Sequence, residues 1–116
     1  MLFRSTATYE VVGNGSVVLE HLFDMVTAYT FNGDVLRAVH YCSAGNQPRF
    51  KAEPETVEYQ IAFTLIDVNA MSDPDAGHMA ALTTRFEGSD RFVQTWTWRE
   101  RGKDRSTHVI TFTRHK

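Results

Sequence analysis

The stretch Val39-His-Tyr-Cys-Ser-Ala-Gly-Asn-Gln-Pro-Arg-Phe50 joins a strand-like run to a sharp turn. The run begins at Val35 and places alternate residues on opposite faces, which is the period of a half-buried β-strand. Gly45 and Pro48 then interrupt it, as residues of turns do. The same stretch gathers His, Cys, Asn, Gln and Arg side chains within a few residues, so it is also the first candidate for a functional region.

The same alternation recurs on both sides of this stretch, with turn residues between the runs. Gly13-Asn14-Gly15 and Asn32-Gly33-Asp34 indicate tight hairpins, because these residue types adopt positive φ at low cost. The sequence predicts eight strands, at residues 6–12, 16–22, 25–31, 35–42, 59–67, 78–86, 91–99 and 107–114. Residues 47–57 contain two prolines and several charges, and they are predicted to form a loop.

The predicted fold class is all-β, an antiparallel up-and-down barrel of about eight strands. Nearly every link is a short turn, which favours this meander over a Greek-key sandwich. Residues 73–81 are the only weak helix candidate, and Pro74 and Gly77 argue against it. A chain of 116 residues has the size of one domain, so residues 1–116 are predicted to form a single unit.

Composition and charge exclude several classes of protein. Hydrophobic residues at 42% and charged residues at 22% are ordinary for a globular protein. A formal charge of -2 gives no general attraction to nucleic acid or to acidic membranes, so neither is predicted as a partner. Cys42 is the single cysteine, which excludes an internal disulfide and suits a reducing compartment. Without a signal-like segment or a long apolar run, the predicted location is cytoplasmic.

The interior of such a barrel is either filled by side chains or holds one small ligand. Three strand faces mix apolar and polar groups, which suits a cavity if they point inward and a wet surface if they do not. These faces are Leu36-Ala38-His40-Cys42, His78-Ala80-Leu82-Thr84 and Gln94-Trp96-Trp98. On the cavity interpretation, the candidate ligand-binding residues are His40, Cys42, Asn46, Gln47, Arg49, His78, Trp96 and Trp98.

Each candidate group also has a structural interpretation. The segment from Gly45 to Arg49 could present amides and a guanidinium to a polar ligand, or it could be a turn whose side chains bond their own backbone. Trp96 and Trp98 could stack on a ligand, although aromatic residues at a period of two are more often core.

Catalytic and metal-binding roles are weaker hypotheses. His40 and Cys42, with His78 or His108, could supply metal ligands, but no metal-binding spacing supports this, and no metal or cofactor is predicted. A Cys-His nucleophilic pair is possible by residue type, yet neighbours on one strand usually stand too far apart. No catalytic residue is assigned. Asp67, Asp73 and Asp75 lack the pattern of a calcium loop.

Four blocks carry a resemblance to a known group. They are Asp24-Met25-Val26-Thr27, HYCSAGNQPR from His40 to Arg49, DPDAGHM from Asp73 to Met79, and QTWTWRERGK from Gln94 to Lys103. With them the chain resembles a family of uncharacterised bacterial proteins similar to the calycins, the superfamily of lipocalins, fatty-acid-binding proteins and nitrobindin. The resemblance implies a calycin-like barrel, and an inner cavity by analogy, but no activity.

The resemblance also implies something about assembly. Members of that group usually carry an additional N-terminal strand with a Gly-x-Trp motif, and this chain starts after its place. A barrel that lacks the strand has an open edge, so a homodimer is predicted, with cover by residues 1–5 as the alternative.

Three functional hypotheses follow. The first, which is favoured, is a protein that holds a small apolar or amphipathic molecule in its interior. The second is a homodimeric structural or interaction protein with a filled barrel. The third is an enzyme that uses His40, Cys42 or His78.

Overall fold

The computed structural model describes residues 6–55 and 57–115. Within them the chain forms nine β-strands and no helix. The strands are β1 (Thr8–Val12), β2 (Val17–Leu22), β3 (Met25–Asn32), β4 (Val35–Tyr41), β5 (Gln47–Ala52), β6 (Gln60–Asn69), β7 (His78–Phe86), β8 (Arg91–Glu100) and β9 (Lys103–Thr113). The all-β prediction is therefore confirmed, and no helix in this part of the chain is long and apolar enough to cross a membrane.

The nine strands form one antiparallel sheet whose spatial order is the order of the sequence. Each strand pairs with the next, which confirms the up-and-down meander, and the sheet curls into a half-barrel. In the described ranges β1 pairs only with β2, and β9 only with β8. No ladder joins β1 to β9 there. The predicted cover by residues 1–5 lies outside the described residues.

A two-residue hairpin joins β8 to the last strand, β9, and the ladder between them shifts by one residue between Trp98 and Arg99. Glu100 pairs with Lys103, and the two residues between them both have positive φ, 51° at Arg101 and 71° at Gly102. This is the turn geometry that matches the twist of the flanking strands. Pairing therefore resumes at Lys103, four residues before the predicted start of the strand.

The count of eight strands is wrong, because the predicted loop at residues 47–57 contains β5. Pro48 lacks an N–H, but it lies beside an irregularity in the ladder between Arg49 and Phe50, where proline is tolerated. Phe50 is fully buried, and β5 pairs with both β4 and β6. Burial of the inward residues at a period of two outweighs the turn preference of proline.

The core lies on the concave face of the sheet, where five buried apolar residues cluster. They are Ala38, Phe50, Phe63, Leu82 and Trp96. The three mixed faces point inward as the cavity interpretation requires, since His40, His78, Thr84 and Gln94 are also buried. Their polar groups are therefore enclosed in the fold rather than exposed to water.

Candidate ligand-binding cavities

Two cavities adjoin on the concave face. The first, which we call the aromatic cavity, has a volume of about 250 Å³. It is lined by Tyr9, Val18, Glu20, Tyr29, Leu36, Ile61, Phe63, Thr84, Phe86, Phe92 and Gln94. Tyr9 is 48% exposed and Phe86 43%, so solvent reaches the cavity beside these two rings.

The second, which we call the histidine cavity, has a volume of about 200 Å³. It is lined by Glu20, Leu22, Phe23, Met25, Thr27, His40, Met79, Gln94, Trp96, His108 and Ile110. Glu20 and Gln94 line both cavities, so they form a shared wall.

The shared wall is a hydrogen-bond network that crosses the interior from β2 to β8. Gln94 donates Nε2–H to Glu20 Oε2 at 3.0 Å, and its Oε1 accepts a hydrogen bond from Trp96 Nε1 at 3.0 Å. Tyr9 donates to Glu20 Oε2 at 2.6 Å, and Tyr29 donates to Oε1 at 3.3 Å. Both oxygens of the carboxyl group and both ends of the amide are therefore satisfied.

Burial is the main electrostatic influence on this network. It raises the pKa of Glu20 above its usual value, and the hydrogen bonds from Tyr9, Gln94 and Tyr29 oppose that rise. Burial together with the nearby carboxyl group raises the pKa of Tyr9 and of Tyr29, so both phenols stay protonated and act as donors. None of the ion pairs in the described ranges involves Glu20.

His40 is the titratable group of the histidine cavity on β4. Its Nδ1 lies 2.9 Å from Thr27 Oγ1, and its ring packs against Trp96 with centroids 4.6 Å apart. Burial lowers the pKa of His40 to about 4, so the imidazole is neutral at pH 7. Its Nε2 is buried and has no hydrogen-bond partner among the described residues.

Of the eight predicted ligand-binding residues, His40 and Trp96 line a cavity. The other six line neither. His78 is buried, and its Nδ1–H donates to the backbone oxygen of Met79 at 2.9 Å. Trp98 Nε1 donates to Glu100 at 2.7 Å, and a Cβ at Gly77 would overlap the Trp98 ring.

The segment from Gly45 to Arg49 belongs to a tight turn that leads into β5. Cys42 and Asn46 hydrogen-bond through their backbones at 3.1 Å, and the Asn46 side chain donates to the backbone oxygen of Gly77 at 2.9 Å. Gln47 reaches back to the Gly45 oxygen at 3.4 Å. Arg49 makes a bidentate ion pair with Asp67 of β6. These contacts match the structural interpretation of the segment.

Sequence reasoning missed Glu20, Tyr9, Tyr29 and Phe92. A signal for Glu20 was present: it stands between Val18 and Leu22 at the inward positions of β2, where a charge is unexpected. The two tyrosines carried no comparable signal, since an inward tyrosine reads as an ordinary amphipathic core residue.

Two observations in the described ranges bear on the metal-binding and Cys-His hypotheses. No group of three or more His, Cys, Asp or Glu side chains that could hold a metal ion occurs there. Cys42 is a free thiol, and its side chain makes no hydrogen bond to a histidine in that part of the chain. Neither observation assigns a nucleophile or an acid-base pair.

Comparisons of the chain with protein-family models, with curated proteins and with solved structures give no match.

Proposed function

We propose that the protein binds a small, largely apolar or amphipathic molecule on the concave face of its sheet. The observation that carries the proposal is the pair of adjoining cavities, whose walls are mainly apolar with a few placed polar groups. Sites for small molecules have this composition. A filled interior, which the structural hypothesis requires, would not contain them.

The volumes bear on the size of the ligand. Sites for drug-sized molecules usually measure roughly 300–1,000 Å³. Cavities of about 250 and 200 Å³ lie below that range. The proposed ligand is therefore a compact molecule or a small head group, and an extended acyl chain does not fit in either cavity alone.

His40 supports a ligand that also carries a polar group. The residue is 4% exposed, and its Nε2 is without a partner in the described chain. Leaving such a group unpaired costs about 1–3 kcal/mol. A hydroxyl, amide or ring N–H of a ligand in the histidine cavity would remove that cost.

The test is a titration of the wild-type protein with indole, followed by NMR. Two neighbouring residues on β9 supply a matched pair of variants, because Ile110 lines the histidine cavity and Val109 is 64% exposed. We expect Ile110→Trp to weaken indole binding at least tenfold, about 1.4 kcal/mol, by occupying the cavity. Val109→Trp adds the same side chain outside and should leave the affinity unchanged.

Two results would contradict the proposal. One is the absence of saturable indole binding to a wild-type protein that NMR shows to be folded. The other is equal affinity in the two tryptophan variants, which would place the bound indole elsewhere.

We also propose that the protein forms a homodimer through a sheet edge. Within the described ranges, β1 and β9 each have a ladder partner on one side only. Edges of this kind invite pairing, and a two-fold axis lets one patch serve both chains. Sedimentation equilibrium should give twice 13.2 kDa, and Val11→Lys on the edge strand β1 should shift the mass toward 13.2 kDa. A wild-type mass of 13.2 kDa at micromolar concentration would contradict the dimer.

Two further predictions belong with this proposal. The first is a relationship to the calycins, which is inferred from the four sequence blocks given above and is supported by the sequential meander. The single reduced cysteine supports a cytoplasmic location.

A further inference from the structure

The aromatic cavity combines five aromatic rings with one carboxyl group. The rings form two contacting sets: Phe92 packs against Tyr9 and Phe86 with centroids 6.4 and 5.8 Å apart, and Tyr29 packs against Phe63 at 6.1 Å. Glu20 lies in the shared wall and is 4% exposed. The described lining of this cavity contains no Lys, Arg or His.

No cation among the described residues balances the charge of Glu20. Its three hydrogen-bond donors are two neutral phenols and a neutral amide. They satisfy the oxygens, but they supply no positive charge, and a buried carboxylate without a cation is costly. The carboxyl group therefore either holds a proton or pairs with a cation that enters the cavity.

The walls select the kind of cation. A metal ion needs several oxygen ligands, and Glu20 is the only carboxylate in the described lining. An alkylated ammonium group needs none, because aromatic rings attract it through their quadrupoles and its alkyl groups replace contact with water. The cavity is also compact enough for a single head group.

We propose that the aromatic cavity binds a small organic cation, an alkylated ammonium group whose charge pairs with the Glu20 carboxylate and whose alkyl groups contact the aromatic rings. This inference rests on the proposed function, since it names the chemistry of a ligand in the same interior. Tyr9 and Phe86 lie at the solvent-exposed side of the cavity, where such a group enters.

Choline and 3,3-dimethylbutan-1-ol form a matched pair of probes. They have nearly the same shape, but a quaternary nitrogen in the first is a neutral carbon in the second. Isothermal titration calorimetry at pH 7.5 should show that the wild-type protein binds choline at least tenfold more tightly than the alcohol. Potassium chloride, at the same concentration as choline chloride, should not displace bound choline from the protein.

Variants locate the source of that preference. Glu20→Gln keeps the size of the side chain and removes the charge, so the ratio of the two affinities should fall to about one. Glu10→Gln makes the same change at an exposed position on β1 and should keep the ratio. If Glu20→Gln does not fold, Phe92→Leu serves instead: it removes a ring and should weaken choline binding more than alcohol binding.

The outcomes separate this inference from the proposed function. Equal wild-type affinity for choline and the alcohol would overturn cation recognition and leave small-molecule binding intact. Saturable indole binding with no choline binding would do the same. A tenfold preference that persists in Glu20→Gln, or in Phe92→Leu if that variant is used, would also overturn it, because the preference would then not depend on the group proposed to recognise the cation. Absence of binding by indole and choline alike would contradict both proposals.

Discussion

The aromatic cavity and the histidine cavity share a wall, but Glu20 in the first and His40 in the second differ in which interactions the protein supplies to them. Three donors satisfy both oxygens of Glu20, and no described residue forms an ion pair with it. His40 has one hydrogen-bond partner, Thr27, and its second ring nitrogen has none among the described residues. Burial favours the neutral form of both groups, since it raises the pKa of Glu20 and lowers that of His40 to about 4.

The two residues therefore lack different interactions. Glu20 lacks a positive charge, which a cationic ligand supplies, whereas His40 lacks a hydrogen bond, which a neutral polar ligand supplies. If both proposals hold, one interior accepts two chemically distinct groups, or the two ends of one amphipathic molecule. Gln94 holds the two halves apart because it bonds Glu20 on one side and Trp96 on the other.

The largest expected effect on stability comes from replacing Gln94, which separates the two cavities. Gln94→Leu takes a donor from buried Glu20 and the acceptor from the indole N–H of Trp96. Each buried group that loses its partner costs about 1–3 kcal/mol, and more when it is charged, so we expect the free energy of unfolding to fall by about 4 kcal/mol. Urea unfolding measures this fall.

Gln47→Leu is the matched control, because its amide makes only a long contact with the backbone of Gly45. It should change the free energy of unfolding by no more than about 0.5 kcal/mol. If both variants lost the same stability, the network would not be the element that divides the cavities.

The titration of His40 gives the next largest effect. Because its pKa is about 4 in the folded protein and about 6.5 when unfolded, the unfolded chain binds a proton between these values that the folded chain does not. The stability present above pH 6.5 is therefore lost as the pH falls toward 4. We expect a loss of about 3 kcal/mol from this group.

The measurement compares urea unfolding of wild type and His40→Gln from pH 7 to pH 4, so that other groups cancel. The comparison is needed because Glu20 acts with the opposite sign: its raised pKa gives stability that is present in acid and is lost as the pH rises through the folded value. A constant difference between the two proteins would show that His40 has the same pKa in the folded and the unfolded protein, and the contrast between the cavities would disappear.

A smaller effect is expected outside both cavities, at Gly77 before β7. A Cβ there overlaps the ring of Trp98, so Gly77→Ala should cost about 2 kcal/mol of stability through overpacking. Indole binding should be unchanged, because neither residue lines a cavity. In a Trp98→Leu background the cost should shrink, and full additivity of the two substitutions would contradict the contact.

The sequence predicted the meander because hairpin signals and a period of two are local. The same alternation grouped His40, His78 and Gln94 with apolar neighbours on their strand faces, but it left open whether those faces point inward, as their burial shows that they do. The sequence predicted a loop where β5 lies because Pro48 is a local signal. Burial of Phe50, which favours a strand, depends on the distant strands β4 and β6 and is not visible locally. Membership of a cavity is less predictable still, because Glu20 and Gln94 lie 74 positions apart and meet only when the sheet curls.

The smallest effect should come from Arg49, which the sequence marked as a ligand contact. Its ion pair with Asp67 lies at the surface, where side-chain entropy and screening offset most of the attraction. Arg49→Ala should therefore produce little or no change in the urea midpoint, and the affinities for indole and choline should match wild type. A marked loss of either affinity would show that the turn from Gly45 to Arg49 contributes to ligand binding, and the division between binding cavities and a structural turn would then be wrong.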